Sequence, residues 1–239
     1  MSERSLPALD RDLPLSVAAA LVAAFALLSG PVGFALTFLH PQPPWTDAAT
    51  FVAHAHPIQQ LPYWLGFGLL GSCLLLVARV VALSWEHNRT RALVVLLLTA
   101  MYAAAILVNY ALQVAYVPVL ARAGSPLVAY VTMANPEAPT WLLEMFGYGA
   151  LGGATWAAAP LFGAHRPWIR RLLVANGVVS IAGAITCAGG MGWLQSVPGL
   201  FAYLAWNALF IAAAIAIAVD LRPRRTPRAA ARTLLHTRA

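Results

Sequence analysis

Six apolar runs alternate with polar or proline-rich breaks along the chain, at residues 15–39, 61–85, 92–116, 141–163, 172–193 and 198–220. Each holds the roughly 20 apolar residues that a helix needs to cross a bilayer, with some tilt. The pattern predicts an all-α, polytopic membrane bundle of about six transmembrane helices over residues 1–221, followed by a basic tail at 222–239. The first run is too long for the core of a signal peptide, and no small-residue cleavage site closes it, so it is read as a helix.

Two of the breaks are long, about 21 and 24 residues, and share a pattern. The first reads Ala55-His56-Pro57, then Pro62-Tyr63-Trp64-Leu65, and continues with Phe67-Gly68. The second reads Ala134-Asn135-Pro136, then Pro139-Thr140-Trp141-Leu142, and continues with Phe146-Gly147. Proline suits the first turn of a helix and not its interior, so each pair can stop one segment and start the next. A parallel repeat of helices 1-2 and 3-4 would leave such a match, and so would chance, because the spacings differ by one and two residues. Within these breaks, Thr46 to Gln60 and Pro118 to Met133 are apolar enough to form short interfacial helices or lids roofing that end of the bundle.

Composition supports the membrane assignment and narrows the chemistry. Of 239 residues, 61% are hydrophobic and 10% charged, with mean hydropathy +0.73. A soluble domain carries about a quarter charged residues, so no separate cytoplasmic catalytic or nucleic-acid-binding module fits. The net charge of +7 and a pI near 10.1 therefore read as topology signals rather than as an affinity for nucleic acid. Arg4, Arg11, Arg89, Arg91, Arg166, Arg170 and Arg171 and six tail arginines fall on one side, against Arg122 alone on the other. Thirteen against one predicts cytoplasmic N- and C-termini in a multi-pass protein of the cell membrane, with Arg79 snorkelling inward. The tail is expected to be attracted to anionic membrane lipids and is assigned no chemistry. Cys73 and Cys187 fall inside apolar runs and offer neither a disulfide framework nor a metal-binding spacing. No phosphate loop, nucleophile elbow, HExxH or CxxC is present, so neither cofactor nor metal is expected.

Polar side chains inside a span are costly, and their depth is the main functional clue. Asn109 lies about 17 residues into the third run, hence roughly 25 Å up a core about 30 Å thick. Glu144 enters the fourth run from the opposite side and lies roughly 5 Å deep, at the same level. Tyr102, Asn109, Gln113 and Tyr116 share one helical stripe, and Glu144, Tyr148, Leu151 and Thr155 another. Tyr63 and Tyr203 reach comparable depths, with His54, His56, Gln59 and Gln60 above them. Polar groups thus concentrate in the outer half. The inner half offers Asn176 and Ser180, on a stripe through Gly183 and Cys187 that suggests close helix packing.

Glu144 is the one carboxylate well inside a predicted span. A low-dielectric site disfavours its charged form, so a neutral acid is expected unless a cation or several donors hold it. Such an acid in an aromatic-lined cavity is suited to protonating an alkene, epoxide or carbonyl, with Asn109 and Tyr148 orienting it. His54, His56, Tyr63, Trp64, Gln113, Trp141 and Tyr203 are the candidate substrate-binding residues. The alternative for Glu144 and Asn109 is a helix-end tether, and for Tyr63, Trp64, Trp141 and Tyr148 an interfacial belt. His54 and His56 lack a third ligand for a metal.

The segment Asn109-Tyr110-Ala111-Leu112-Gln113, then Asn135-Pro136 and Glu144-Met145-Phe146-Gly147-Tyr148, resembles a pattern in small bacterial multi-span membrane proteins of unassigned function. That resemblance implies no activity. In size, helix-only architecture and a membrane acid, the chain is also similar to integral-membrane terpene cyclases, which use membrane carboxylates to protonate an epoxide or terminal alkene. This similarity implies acid-initiated cyclisation or isomerisation of a hydrophobic, terpenoid or prenylated small molecule. Only one good carboxylate is present where some of those cyclases have two. A small proton-linked transporter or lipid binder is the first alternative, opposed by the sparse polar inner half and by the lack of a Gly/Pro-broken helix pair at mid-depth. An accessory subunit, packed through segments such as Gly149-Ala150-Leu151-Gly152-Gly153, is the second. The oligomeric state is not legible in the sequence.

Overall fold

A computed structural model describes residues 14–187, 191–193 and 196–221. The basic tail at 222–239 lies outside them, as do the arginines at positions 4 and 11. Among the described residues all regular structure is helical. Five helices are long and apolar enough to cross a membrane, which makes the molecule a membrane-type helical bundle.

The long helices are α1 (Leu15–Thr37), α3 (Leu61–Ser84), α4 (Arg89–Arg122), α6 (Thr140–Ala158), α7 (Pro167–Cys187) and α8 (Val197–Asp220). Two short helices, α2 (Ala48–Ala53) and α5 (Val128–Val131), lie in the two long connections. Helix α6 corresponds to the fourth apolar run and falls outside the five spanning candidates. It is the helix that carries Glu144, Thr140, Thr155 and four glycines, and this polarity lowers its hydropathy. The starts have local causes. Pro62 sits in the first turn of α3 and Pro198 in that of α8. The Asn88 side chain accepts from the Arg91 amide at 3.3 Å to cap α4, and Ser196 accepts from Gly199 at 3.2 Å to cap α8.

Neighbours in sequence are neighbours in space. Helix α1 packs on α3, α3 on α4, α4 on α6, α6 on α7, α7 on α8, and α8 returns to α1. The helices therefore close into a ring whose centre is filled by Val22 and Ala26 of α1, Leu69 and Cys73 of α3, Tyr102 and Ile106 of α4, Leu151 of α6 and Phe210 of α8. Helices α6 and α7 approach closely through small residues. A Cβ on Gly152 would stand 2.4 Å from that of Ser180, and one on Gly177 would stand 2.7 Å from the Gly152 carbonyl oxygen. The small-residue stripe read from the sequence does bring these helices close. At the end with short connections, Arg166 pairs with Asp220 and joins the α6–α7 turn to the last turn of α8.

Two of the long helices are irregular for a shared reason. The first and third long helices each contain a π turn, at Leu28–Val32 and Leu112–Tyr116, and each turn lies at or just before a proline. Pro31 and Pro118 remove a backbone donor, and the wider turn lets the helix continue past the loss. The third run therefore extends to Arg122 instead of stopping near 116. The extra residue also rotates the register. Tyr102, Asn109 and Gln113 are buried, but Tyr116, expected on their stripe, is 45% exposed. In α1, Gly30 leaves helical geometry (φ −81°, ψ −106°), and a Cβ there would collide with Asn207 Oδ1 at 2.3 Å. Helix α1 is thus broken by a Gly-Pro pair two-thirds of the way along, a break that the apolar pattern did not reveal. The fifth run also begins earlier than expected, because Pro167 opens α7.

The long connections do fold as short helices. Asp47 caps α2, its Oδ1 accepting from the Thr50 amide at 2.8 Å. His56 caps the 3-10 turn Pro57–Gln60, with Nδ1 accepting from the Ile58 amide at 3.2 Å. Ala48 and Phe51 of the first connection pack with Val117 and Leu120 at the end of α4 and with Val128 and Val131 of the second connection, so the two connections cover one end of the ring together.

Candidate functional site

The carboxyl of Glu144, in the second turn of α6, is held by two consecutive residues of α4. The Asn109 amide donates to Oε2 at 2.7 Å, and the Tyr110 hydroxyl donates to Oε1 at 3.1 Å. The matched depths deduced from helical rise place Asn109 and Glu144 within direct reach, as expected. Tyr110 then meets the Tyr148 hydroxyl at 3.0 Å, one helical turn below Glu144 on α6. Glu144, Tyr110 and Tyr148 therefore form a continuous hydrogen-bonded chain from the acid into the ring centre.

Aromatic rings surround that chain. Tyr63 and Phe67 of α3 meet Tyr110 edge-on at 5.4 and 6.0 Å between ring centres. Tyr148 lies 5.5 Å from Tyr102 and 4.8 Å from Trp206, whose ring stacks on Phe210 and whose indole donates to Ser180 at 2.6 Å. Tyr102 is fully buried, and its hydroxyl has no hydrogen-bond partner among the described residues. Tyr110 is fixed from behind by Gly66, where any side chain would strike the ring at 2.2 Å.

The same stripe of α4 holds the second long connection. Asn109 also donates to Met133 Sδ at 3.2 Å. Gln113 donates to the Val131 carbonyl at 2.7 Å and accepts from the Met133 amide at 3.0 Å, and a longer contact at 3.4 Å reaches Asn109 Oδ1. Trp141 donates its indole N–H to the Met133 carbonyl at 3.1 Å. Asn109 and Gln113 are 0% and 3% exposed, so these bonds are made in a dry setting where an unmade one is expensive.

The chain matches no known family model, no curated protein and no solved structure. Its functional reading rests on its own geometry.

A cavity of about 560 Å³ opens between the two long connections. Of the substrate-binding candidates, His56, Tyr63 and Gln113 line it. Tyr63 and Gln113 also connect its wall to the acid, the one through Tyr110 and the other through Asn109. His54, Trp64, Trp141 and Tyr203 do not line it. His54 is exposed and turns Nδ1 to the Thr50 carbonyl, 2.9 Å away. Trp64 is 56% exposed on the outside of α3, as a belt residue would be. Tyr203 packs against Phe34, with ring centres 6.1 Å apart. Neither histidine is bonded to Glu144, and no group of three metal-ligating side chains occurs among the described residues. Sequence reasoning did not single out Tyr110, the second donor to Glu144. Its signal was its position beside Asn109 at a level where an acid arrives from the facing helix.

Proposed function

We propose that this protein is a membrane-embedded enzyme in which Glu144 initiates cyclisation or isomerisation of a hydrophobic, prenyl-type substrate by proton transfer. The observation that carries this reading is the chain Glu144–Tyr110–Tyr148, set among Tyr63, Phe67, Tyr102 and Trp206. A neutral carboxyl gives its proton to an epoxide oxygen or a terminal alkene carbon. The C–O bond breaks, or the π bond is consumed, and the resulting cation closes on the next alkene. The final cation loses a proton from a neighbouring carbon, and the carboxylate takes it back directly or through Tyr110. The balance is an isomerisation that needs no co-reactant, and the aromatic faces stabilise the intermediate cations. The end of the ring bearing the long connections faces outward in this reading, with both termini cytoplasmic, as the arginine distribution argues.

The test uses purified protein and an epoxidised farnesyl alcohol, with cyclic product followed by gas chromatography and mass spectrometry. Glu144→Gln is expected to abolish product while leaving the melting temperature close to that of the parent, and Tyr110→Phe to lower turnover without abolishing it. Undiminished product from folded Glu144→Gln protein would refute the assignment. The break at Gly30–Pro31 beside Asn207 favours a second reading, a proton-linked transporter, because broken helices frame many transport sites. Acidification of the lumen of protein-containing vesicles, driven by a candidate solute and lost in Glu144→Gln, would favour it over the enzyme.

A further inference from the structure

The cavity between the long connections differs in chemistry from the aromatic surroundings of Glu144. Its apolar walls include Phe51, Val52, Val114, Val117 and Pro118, and Arg122 is the one arginine or lysine in its polar lining. Gln42 presents an Nε2 that is buried yet has no hydrogen-bond partner among the described residues, so a donor there lacks the acceptor that burial calls for. His56 uses Nδ1 to accept from the Ile58 amide, which in the neutral ring leaves the proton on Nε2. The other face of His56 is occupied by His40, stacked at 3.7 Å between ring centres. Arg122 adds a full positive charge, and no carboxylate is among the lining residues. By contrast, Gln59 and Gln113 commit their amides to protein partners and form walls.

Arg122 carries a second argument. It ends α4, and the connections at this end of the ring hold no arginine or lysine. A basic residue there opposes the charge asymmetry that orients the rest of the chain. Nothing in the bundle uses it, since no ion pair or hydrogen bond engages its guanidinium among the described residues. A cation kept against the topological trend, at the mouth of a cavity with an orphaned amide donor, calls for an acceptor from outside.

We infer that this cavity binds the oxyanion head, a phosphate or carboxylate, of a single-chain amphiphile, through Arg122, the Gln42 amide and His56 Nε2, with the chain lying along the apolar walls. A volume of about 560 Å³ falls within the usual range of about 300 to 1,000 Å³ for small-molecule sites. This inference deepens the proposed enzymatic reading and rests on it only for what the far end of the chain meets beyond Tyr63. Head recognition does not involve Glu144.

Calorimetric titration of the full chain in nanodiscs of neutral phosphatidylcholine tests the inference, with dodecyl phosphate, dodecanol and inorganic phosphate as probes. Dodecyl phosphate is expected to bind most tightly, dodecanol weakly and inorganic phosphate more weakly still. Arg122→Gln should weaken dodecyl phosphate by about tenfold or more, as loss of a charge-assisted bond implies, and leave dodecanol unchanged. Gln42→Leu should weaken dodecyl phosphate severalfold, and Arg122→Lys should retain most of the affinity. Glu144→Gln should bind all three probes as the parent does, so that failure of the acid assignment and failure of this one are read separately. Melting temperatures close to the parent's qualify each variant. Equal affinity for dodecyl phosphate and dodecanol, or dodecyl phosphate binding indifferent to Arg122→Gln, would overturn the proposal. Inorganic phosphate binding as tightly as dodecyl phosphate would also overturn it, in favour of a free-ion site.

Discussion

The position of Tyr110, on which the acid's second donor depends, can be tested through a glycine on the facing helix. A methyl carbon added at Gly66 would stand 2.2 Å from Cε2, 2.9 Å from Cδ2 and 3.1 Å from Cζ of the Tyr110 ring. Carbon atoms at rest lie at least 3.5 Å apart, so the ring must retreat by roughly 1.3 Å. Tyr110 is 6% exposed and bounded by Tyr63 and Phe67, which leaves no vacant space behind it. Its hydroxyl, now 3.1 Å from Glu144, would pass out of hydrogen-bond range. Overpacking costs about 1 to 3 kcal/mol and loss of the bond about 1.5 kcal/mol, while alanine gains about 0.5 to 1 kcal/mol over glycine in a helix interior. Gly66→Ala should therefore destabilise the protein by about 1.5 to 4 kcal/mol. Gly71 lies on the same helix, and a Cβ there would meet nothing within 4 Å, so Gly71→Ala should stabilise by about 0.5 to 1 kcal/mol. Equilibrium unfolding in mixed micelles measures both. Adding Tyr110→Leu should erase the penalty at Gly66, because the ring that is struck is gone. Stabilisation by Gly66→Ala equal to that at Gly71 would refute this placement of Tyr110.

Two further outcomes follow from the hydrogen bonds around the cavity. Gln113→Leu leaves the Val131 carbonyl and the Met133 amide without their side-chain partner, at about 1 to 3 kcal/mol for each buried group, and should speed limited proteolysis within residues 123–135. At α2, hydrogen bonds from the Thr50 amide, then its hydroxyl, hold the Asp47 carboxyl below its ordinary value. A lowered folded-state value means that the cap contributes fully above the ordinary carboxylate range and is lost as pH falls through the lowered value. Protection of the Thr50 amide, its exchange rate taken relative to the intrinsic rate at the same pH, should accordingly fall in acid in the parent, change little with pH in Asp47→Asn, and be low at every pH in Asp47→Ala.

The parts of this molecule that were legible in the sequence depend on regular helical geometry. Depth arithmetic at a fixed rise per residue put Asn109 and Glu144 at one level, and they are hydrogen-bonded. Helical faces put Tyr102, Asn109 and Gln113 inside. The arithmetic fails where the rise and angle change. A π turn adds one residue without any signature in hydropathy, so Tyr116 rotates away from the stripe and α4 outlasts its apolar run. Pro31 and Pro118 were visible, but a proline alone does not say whether a helix stops or widens. Tyr110 was less legible because its hydroxyl reaches Glu144 on another helix from beside the stripe, and only the level it shares with Asn109 signals that contact. The cavity was only partly legible. Its floor residues Tyr63 and Gln113 sit on helices, whereas Gln42 belongs to a proline-rich break whose path is set by packing between the two connections.

The hydrogen bonds also separate residues whose polar groups are fully engaged from one that keeps acceptor capacity. Gln113 has its amide donor and its carbonyl acceptor engaged by backbone at 131 and 133, which makes it a fastener for the connection it touches. Asn109 is similarly occupied, with its amide shared between Glu144 and Met133. Glu144 accepts one bond at each oxygen, and a carboxylate oxygen can accept two. It therefore keeps acceptor capacity after the protein has oriented it. A helix tether would need only the Asn109 bond. The second donor, Tyr110, adds little to tethering, since Asn109 already joins the same two helices. What it adds is a hydroxyl shared with Tyr148, a route by which a proton can leave or return to the acid. That redundancy supports the proposed reading of Glu144 as a proton donor, held in place by Asn109 and Tyr110.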